Sequence, residues 1–189
     1  MTEIIKNIEK ITFNDYGNNA ENFWERTKDH DVTQNYAAFL APFDDKTGLD
    51  ILDFGCGDGN SSVYIRKHFP KAQIDGIDVS KDSTDIATSK DIPNATFQDF
   101  DGQTLPYENE SFDVVFTSMV FHHIEHNLHE GILSEIKRVL KPGGRFYNFE
   151  HNPNNPLTRK VVRECEFDED AVLLKPYYNR NLNSQSGLR

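Results

Sequence analysis

The sequence predicts one doubly wound α/β domain built on a mainly parallel sheet. Two observations predict it. From residue 49 onward, short apolar runs alternate with segments of helical periodicity. A glycine-rich turn, residues 55–59 (GCGDG), directly follows the first apolar run and precedes a helical segment. With 189 residues, the chain has room for one such domain.

The elements follow in the order strand, helix, strand. The first strand covers residues 51–54 and ends at the glycine turn, and a helix over 61–68 ends before Pro70. A second strand starts at Ile74 and ends at Asp78. The remaining expected elements alternate in the same way: strands at 96–98, 112–117 and 145–150, and helices at 128–140 and 156–165.

Charge and composition exclude several classes of function. The formal net charge of -11 argues against a nucleic-acid partner, which requires clustered Lys and Arg. No stretch approaches the roughly 20 apolar residues of a membrane span, so no membrane association is expected. The two cysteines form no metal-binding or disulfide pattern, which suits the reducing cytoplasm.

The glycine turn and Asp78 together predict a nucleotide site. Glycines after a strand let a ligand lie against bare backbone, and an acidic residue ending the second strand can accept the hydroxyls of a ribose. Alone, the glycines could serve turn geometry only, and Asp78 could be a helix cap. Asn60 stands where the dinucleotide fingerprint has glycine, and the acidic Asp53 and Asp58 suit a ligand with an ammonium or sulfonium group better than a pyrophosphate.

Five segments, in order, resemble the motifs of class I, Rossmann-like S-adenosylmethionine-dependent methyltransferases, closest to the methyltransferase type 11 group. They are residues 51–59 (ILDFGCGDG), 73–79 (QIDGIDV), 101–107 (DGQTLPY), 111–118 (SFDVVFTS) and 138–144 (RVLKPGG). The resemblance implies methyl transfer from S-adenosylmethionine to an acceptor, taken here as a small molecule.

The resemblance also implies the roles of individual residues. The backbone at Gly55 and Gly57, with Asp53 nearby, would hold the methionine part of the cofactor. Asp78 would take the ribose hydroxyls, and the backbone near Thr117 would close the pocket.

The adenine ring would lie against Val79, with its amino group donating to Asp101 beside the backbone of Gly102. A shift of two residues would give this role to Asp99 and Phe100 instead. Asp101 is preferred because its distance from the Leu-Pro pair at 105–106 is usual for the family.

Four histidines follow the fourth strand: His122, His123, His126 and His129. His123 matches a common family histidine, so it is a candidate general base, with a structural role as the alternative. No metal site is expected, since the segment HIEH is not the HExxH motif and no cysteine lies close. His126 and His129 are expected to face solvent.

Residues 1–46 are expected to form a helical leader or lid, and residues 47–189 the cofactor-binding domain. A helix is expected at 32–40 of the leader. Phe23 and Trp24 either cap the site or only pack a leader helix onto the domain. The domain is expected to lack the final strand pair of the family's sheet. Its fifth strand would then have an open edge, or be covered by residues 156–174 or by a partner chain, as in a homodimer.

Two alternatives to a methyltransferase remain open at this point. The chain could bind S-adenosylmethionine without transferring a methyl group, as a regulatory or partner subunit. An NAD-dependent oxidoreductase is a third reading, and Asn60 disfavours it.

Overall fold

The computed structural model describes residues 48–165, 168 and 171–178. Ten elements are named along these residues. They are β1 (Asp50–Phe54), α1 (Asn60–His68), β2 (Gln73–Asp78), α2 (Lys81–Ser89), β3 (Ala95–Asp99), β4 (Phe112–Ser118), a 3-10 turn (Phe121–His123), α3 (His129–Val139), β5 (Leu140–Phe149) and α4 (Pro156–Glu164).

All five strands lie in one parallel sheet with the order β3-β2-β1-β4-β5. The order reverses at β1, so β1 and β4 are neighbours although two strands separate them in sequence. Asp53 of β1 is level with Gly76 of β2 and Phe116 of β4. The turns that follow β1, β2 and β4 therefore meet at one edge of the sheet, where ligands bind in folds of this kind.

The sheet is buried on both faces because its central strands are apolar throughout. Leu52 and Val115 face the core cluster that contains α3 residues such as Ile136. Ile51 and Val114 face the opposite cluster, with Ile65 of α1. Helices on both faces of a parallel sheet give the three-layer arrangement that the sequence predicts.

The strands and helices predicted within the described residues are present, and the main difference is at β5. The sequence places its start at Arg145, whereas the structure begins the strand at Leu140, directly after α3. Leu140 is paired with Phe112, and the register shifts before Val114 pairs with Arg145. A bulge, where residues 141–144 (KPGG) pass without regular pairing, accounts for the extra length.

The described residues after β5 add a helix but no strand. Asn155 caps α4 by accepting a hydrogen bond from the Leu157 amide, and Pro156 occupies the first turn. Leu174 is buried in the α3 core cluster. The five-stranded sheet agrees with the expectation that the final strand pair is lacking, and β5 is an edge strand within the described part of the chain. The predicted leader, residues 1–46, and its helix at 32–40 lie outside the described residues.

Candidate functional site

The glycine turn after β1 is held in place by the end of β2. Both Gly55 and Cys56 donate backbone hydrogen bonds to the Ile77 carbonyl, at 2.8 and 3.1 Å. Gly55, Gly57 and Gly59 all have positive φ, at 73°, 51° and 84°. Left-handed backbone of this kind favours glycine, which explains why the turn contains three.

Gly57 is the glycine that faces open space. Among the described residues, no atom would lie within 4 Å of a Cβ placed on it, whereas a Cβ on Gly59 would lie 2.9 Å from Ala87. The bare backbone of Gly57 is therefore accessible to a ligand, and Gly59 serves helix packing.

Asp78 links the turn to the end of β2. Its Oδ2 accepts a hydrogen bond from the Gly57 amide, and its Oδ1 accepts one from the Ser80 amide, both at 2.9 Å. Burial raises the pKa of Asp78, and these amides partly offset the effect. A carboxylate can accept about four hydrogen bonds, so capacity remains for ribose hydroxyls.

Asp53 lies under the turn and is buried. Its Oδ2 accepts hydrogen bonds from the hydroxyls of Ser61 and Ser62, both at 2.6 Å. Burial raises the pKa of Asp53 to about 6, although the two hydroxyls lower it. A nearby cation would favour the charged form, as the methionine ammonium of the cofactor would do.

The charge of Asp58 is offset, which the sequence did not indicate. Its Oδ2 lies 3.0 Å from Nζ of Lys90, and the same Nζ donates to Oδ1 of Asn60 at 2.7 Å. Asp58 therefore repels a pyrophosphate less than the sequence alone suggested, and Asp53 is the acidic residue that still disfavours one.

The loop after β3 places the predicted adenine residues together. A Cβ on Gly102 would lie 3.4 Å from Cγ1 of Val79, so the two residues nearly touch. Val79 is exposed, so its apolar side chain is available to pack against a flat ligand. Asp101 is exposed, and its Oδ1 accepts the amides of Gln103 and Thr104, which lower its pKa.

The alternative register places different residues. Asp99 ends β3 level with Asp78, and the Phe100 amide donates to the Asp78 carbonyl. The Phe100 ring packs edge-on against Phe54, beside the α3 core cluster. The Phe100 ring therefore packs against the core instead of facing the ligand position.

Thr117 lies on β4 near the turn after β1. Its side chain is fully buried, and its hydroxyl oxygen has no hydrogen-bond partner. Val120, just beyond the strand, would be only 2.3 Å from a Cβ on Gly55. The end of β4 thus forms a wall against the glycine turn.

The histidines divide into two groups. His129 is fully buried, so the expectation that it faces solvent is wrong. Its Nε2 lies 3.1 and 3.0 Å from the carbonyls of Phe121 and Ile124, and its Nδ1 lies 3.0 Å from the Tyr178 hydroxyl. These contacts close the loop before α3, and His126 is exposed as expected.

His122 and His123 form the second group, with Asp168 and Glu150. Nδ1 of His122 lies 2.6 Å from Oε2 of Glu150, and Nε2 lies 3.4 Å from Oδ1 of Asp168. Burial lowers the pKa of His122, but the two carboxylates outweigh it and raise the pKa to about 9. Burial and the neighbouring His122 lower the pKa of His123 to about 4.

Sequence reasoning missed Glu150 and Asp168. Glu150 directly follows β5, at the edge of the sheet where sites form, and this position was the available signal. Asp168 lies after α4 in a segment with no motif, and only the fold brings it to the histidines.

Strand order, glycine turn and Asp78 together define a nucleotide-binding α/β domain of the Rossmann-like kind. The family model described as "Methyltransferase domain" matches residues 51–144. Residues 51–144 thus form a methyltransferase domain, and the five-stranded parallel sheet agrees with the class I, Rossmann-like fold that the sequence motifs imply.

Known proteins resemble the chain in sequence and in fold. The phthiotriol/phenolphthiotriol dimycocerosates methyltransferase of Mycobacterium tuberculosis is 29% identical over 142 residues, which cover 75% of this chain and 50% of that protein. A SAM-dependent methyltransferase of Thermotoga maritima matches with a TM-score of 0.73 at 20% identity, over 93% of this chain and 79% of that one. The chain spans about half the length of the curated relatives that it matches first.

A third similar structure contains S-adenosylmethionine. It is the Haemonchus contortus phosphoethanolamine N-methyltransferase 2 in complex with S-adenosyl-L-methionine, with a TM-score of 0.64 at 24% identity, over 82% of this chain and 36% of that one. At this identity the match shows a shared fold. Among the described residues, no helix is both long and apolar enough to pass through a lipid bilayer.

Proposed function

We propose that the chain binds S-adenosylmethionine and transfers its methyl group to a small-molecule acceptor. The observation that carries the proposal is the pair of Gly57 and Asp78. The Gly57 amide donates to the Asp78 carboxylate, while no atom of the described residues lies within 4 Å of a Cβ placed on Gly57. Bare backbone beside a carboxylate with spare acceptor capacity fits a ribose and the chain attached to it.

The remaining cofactor contacts follow from the same geometry. Asp78 accepts the ribose hydroxyls, and adenine packs against Val79, with the backbone of Gly102 beside it on the same side of the ring. Asp101 uses Oδ1 for its own turn, which leaves Oδ2 for the adenine amino group. The adenine contacts thus belong to the loop after β3 and to the end of β2.

The methionine part lies at the glycine turn. The backbone of Gly55 and Gly57 forms the floor, and Asp53 beneath it supplies negative charge toward the ammonium group. Ser61 and Ser62 fix the Asp53 carboxylate, so it needs no reorganisation when the cofactor binds. The backbone near Thr117 closes this side of the pocket.

Bound S-adenosylmethionine supplies a methyl group that its sulfonium charge already activates. The chain therefore has to align the acceptor and exclude water. A base is needed only for a protonated oxygen or nitrogen acceptor. His123 as that base stays a prediction, and its low pKa is unfavourable for the role near neutral pH.

The net charge of the chain and the names of similar proteins support a small-molecule acceptor. The net charge of -11 disfavours nucleic acid. One relative is named for phthiotriol dimycocerosates and one structure of the same fold for phosphoethanolamine, and neither name denotes a protein or a nucleic acid. The fold hosts many acceptors, and these names do not choose among them.

We place this activity in the cytoplasm, in keeping with two cysteines, Cys56 and Cys165, that form no disulfide. A homodimer through the outer edge of β5 is part of the proposal, because within the described residues no strand pairs with that edge. Light scattering tests it, and a monomer at high concentration would remove the dimer from the proposal.

Calorimetry on Asp78→Ala tests cofactor binding. Loss of charge-assisted hydrogen bonds worth roughly 1.5–3 kcal/mol should weaken S-adenosylmethionine and S-adenosylhomocysteine binding about ten- to a hundredfold. Asp85→Ala, at an exposed position of α2, is the matched control and should bind like the wild type. Unchanged affinity in a folded Asp78→Ala variant, or tighter binding of NAD, would contradict the assignment.

Turnover separates transfer from binding alone. The chain should release S-adenosylhomocysteine when it is screened against a library of metabolites. Tight binding of S-adenosylmethionine without release for any acceptor would favour a regulatory or partner subunit.

A further inference from the structure

The 3-10 turn after β4 and the segment after α4 meet at three metal-ligating side chains. The ring nitrogens of His122 and His123 and a carboxylate oxygen of Asp168 all lie within 4.8 Å of one another. We propose that His122 Nε2, His123 Nε2 and Asp168 Oδ1 bind a divalent zinc ion.

The distances from Asp168 to the two histidine nitrogens fit a tetrahedral ion. Oδ1 of Asp168 lies 3.4 Å from His122 Nε2 and 3.6 Å from His123 Nε2. Two ligands about 2.1 Å from a tetrahedral zinc are separated by about 3.4 Å. Both separations are long for an N–H···O hydrogen bond.

His122 Nε2 is the group that most needs a partner. The side chain is 1% exposed, and within the described residues Nε2 makes no well-formed hydrogen bond, since its ion-pair contact with Oδ1 of Asp168 is 3.4 Å long. An unpartnered polar atom at such burial is costly. A metal ion between His122 and Asp168 would satisfy it, and Asp168 is itself only 11% exposed.

Glu150 orients His122 as outer carboxylates orient metal-binding histidines. Its Oε2 lies 2.6 Å from Nδ1 of His122, so a proton on Nδ1 leaves the lone pair of Nε2 for a metal. Its Oε1 accepts the amides of Val120 and Phe121, at 3.1 and 2.7 Å. Glu150 therefore fixes both the ring and the turn that carries it.

The backbone already brings the two segments together. The Val172 amide donates to the His122 carbonyl at 2.9 Å, and Leu174 is buried in the α3 core cluster. These contacts hold the neighbourhood of Asp168 against the turn independently of a metal. The ligand set is therefore largely preorganised.

The donor set selects zinc over harder cations. Two imidazoles and one carboxylate are common zinc ligands, whereas calcium and magnesium prefer oxygen alone. Three protein ligands leave one tetrahedral position for water or for a donor atom of a bound molecule. His123 is 24% exposed, so that position is reachable from solvent.

Zinc titration of the chelator-treated chain tests the proposal, with a chromophoric zinc indicator as competitor. The wild type should bind one equivalent, and Asp168→Asn and His123→Gln should bind at least about a hundredfold more weakly. His126→Gln is the matched control, since His126 is a nearby exposed histidine outside the ligand set. Glu150→Gln should weaken binding about 10- to 100-fold through loss of orientation.

Two further measurements keep the result decisive. Cobalt bound to the wild type should show the intense visible absorption of a tetrahedral site, and His126→Gln should keep it. Circular dichroism of the metal-free variants checks that each one folds. The proposal is overturned if the wild type binds no stoichiometric zinc, or if folded Asp168→Asn and His123→Gln bind as the wild type does. Either outcome would leave His122 as a plain ion-pair partner of Glu150 and Asp168.

Discussion

Val120 lies against the backbone of Gly55, so close that a Cβ on the glycine would be 2.3 Å from Cγ2 of the valine. Gly55 therefore satisfies two constraints, a φ of 73° and contact with the turn after β4. Gly57 also has a positive φ but no such contact, since no atom of the described residues lies within 4 Å of its Cβ position. Gly55 thus serves packing, and Gly57 leaves the backbone accessible to a ligand.

Gly57→Ala should keep the fold and lose cofactor affinity. Because the backbone at this position is left-handed, an alanine there should lower the free energy of unfolding by about 1–2 kcal/mol. The new methyl group projects into the space proposed for the cofactor, so S-adenosylhomocysteine affinity should fall at least tenfold by calorimetry. A folded variant with wild-type affinity would contradict the position of the cofactor.

Gly55→Ala should destabilise the chain more than Gly57→Ala, because it adds a clash with Val120 to the same backbone cost. Urea unfolding measures both. Gly131→Ala in α3 is the matched control: no atom is close, and alanine should stabilise a helix interior by about 0.5–1 kcal/mol. Equal losses for Gly55→Ala and Gly57→Ala would show that Val120 moves aside freely.

Much of the fold could be predicted because its signals are local. The continuous apolar run at 112–117 predicted a strand buried on both faces, and Val114 and Val115 do face opposite core clusters. The start of β5 was not predictable, since Pro142 and the two glycines after it are typical of a turn. Pairing with β4 extends the strand through this segment.

The site was predictable only where it lies within a motif. The glycine turn and Asp78 are such positions. The ion pair of Asp58 with Lys90 joins residues 32 apart in sequence, so no local pattern revealed it. The burial of His129 depends on Tyr178, and the zinc proposal depends on Asp168, both of which only the fold brings near.

Asp53 should give the stability of the chain a specific pH dependence. Its pKa is raised from 3.8 to about 6 in the folded chain. As the pH rises from about 3.8 to about 6, the unfolded chain loses this proton first, so this group lowers the free energy of unfolding. The penalty is full above about pH 6, at about 3 kcal/mol, and absent below about pH 3.8.

Asp53→Asn removes this titrating group, so comparison of the variant with the wild type measures its contribution to stability. The difference in free energy of unfolding between Asp53→Asn and the wild type should shift in favour of the variant as the pH rises through this range, and then stay constant. Urea unfolding in a pH series measures it, with Asp85→Asn as an exposed control on α2. A difference that does not change with pH would refute the raised pKa.

Arg138 of α3 should stabilise the loop that carries Asp101. Its guanidinium donates to the carbonyls of Tyr107 and Leu105, at 2.7 and 2.9 Å, and pairs with Glu135, which accepts the Leu105 amide. Arg138→Met should lower stability by about 1–2 kcal/mol, given its partial exposure.

The same variant should weaken S-adenosylhomocysteine binding severalfold, because the loop loses its anchor. Lys137→Met, at the neighbouring exposed position of α3, is the control for loss of a cation. Stability loss with unchanged affinity would mean that residues 101–104 hold their shape without this anchor.

The last prediction assigns the adenine contact to Asp101 and not to Asp99. Gly102 next to Asp101 lies against Val79, which places residues 101–102 at the proposed adenine position. Asp101→Asn keeps the side-chain oxygen that accepts the Gln103 and Thr104 amides, so the turn should survive. What it loses is an acceptor for the adenine amino group.

Affinities for two ligands isolate that contact. Asp101→Asn should bind S-adenosylhomocysteine about three- to tenfold more weakly, the worth of one hydrogen bond of roughly 0.5–1.5 kcal/mol. It should not lose affinity for S-inosylhomocysteine, in which a carbonyl replaces the amino group. Asp99→Asn, at the end of β3, should bind both ligands as the wild type does. A selective loss in Asp99→Asn instead would move the adenine contact two residues upstream, and with it the boundary of the cofactor pocket.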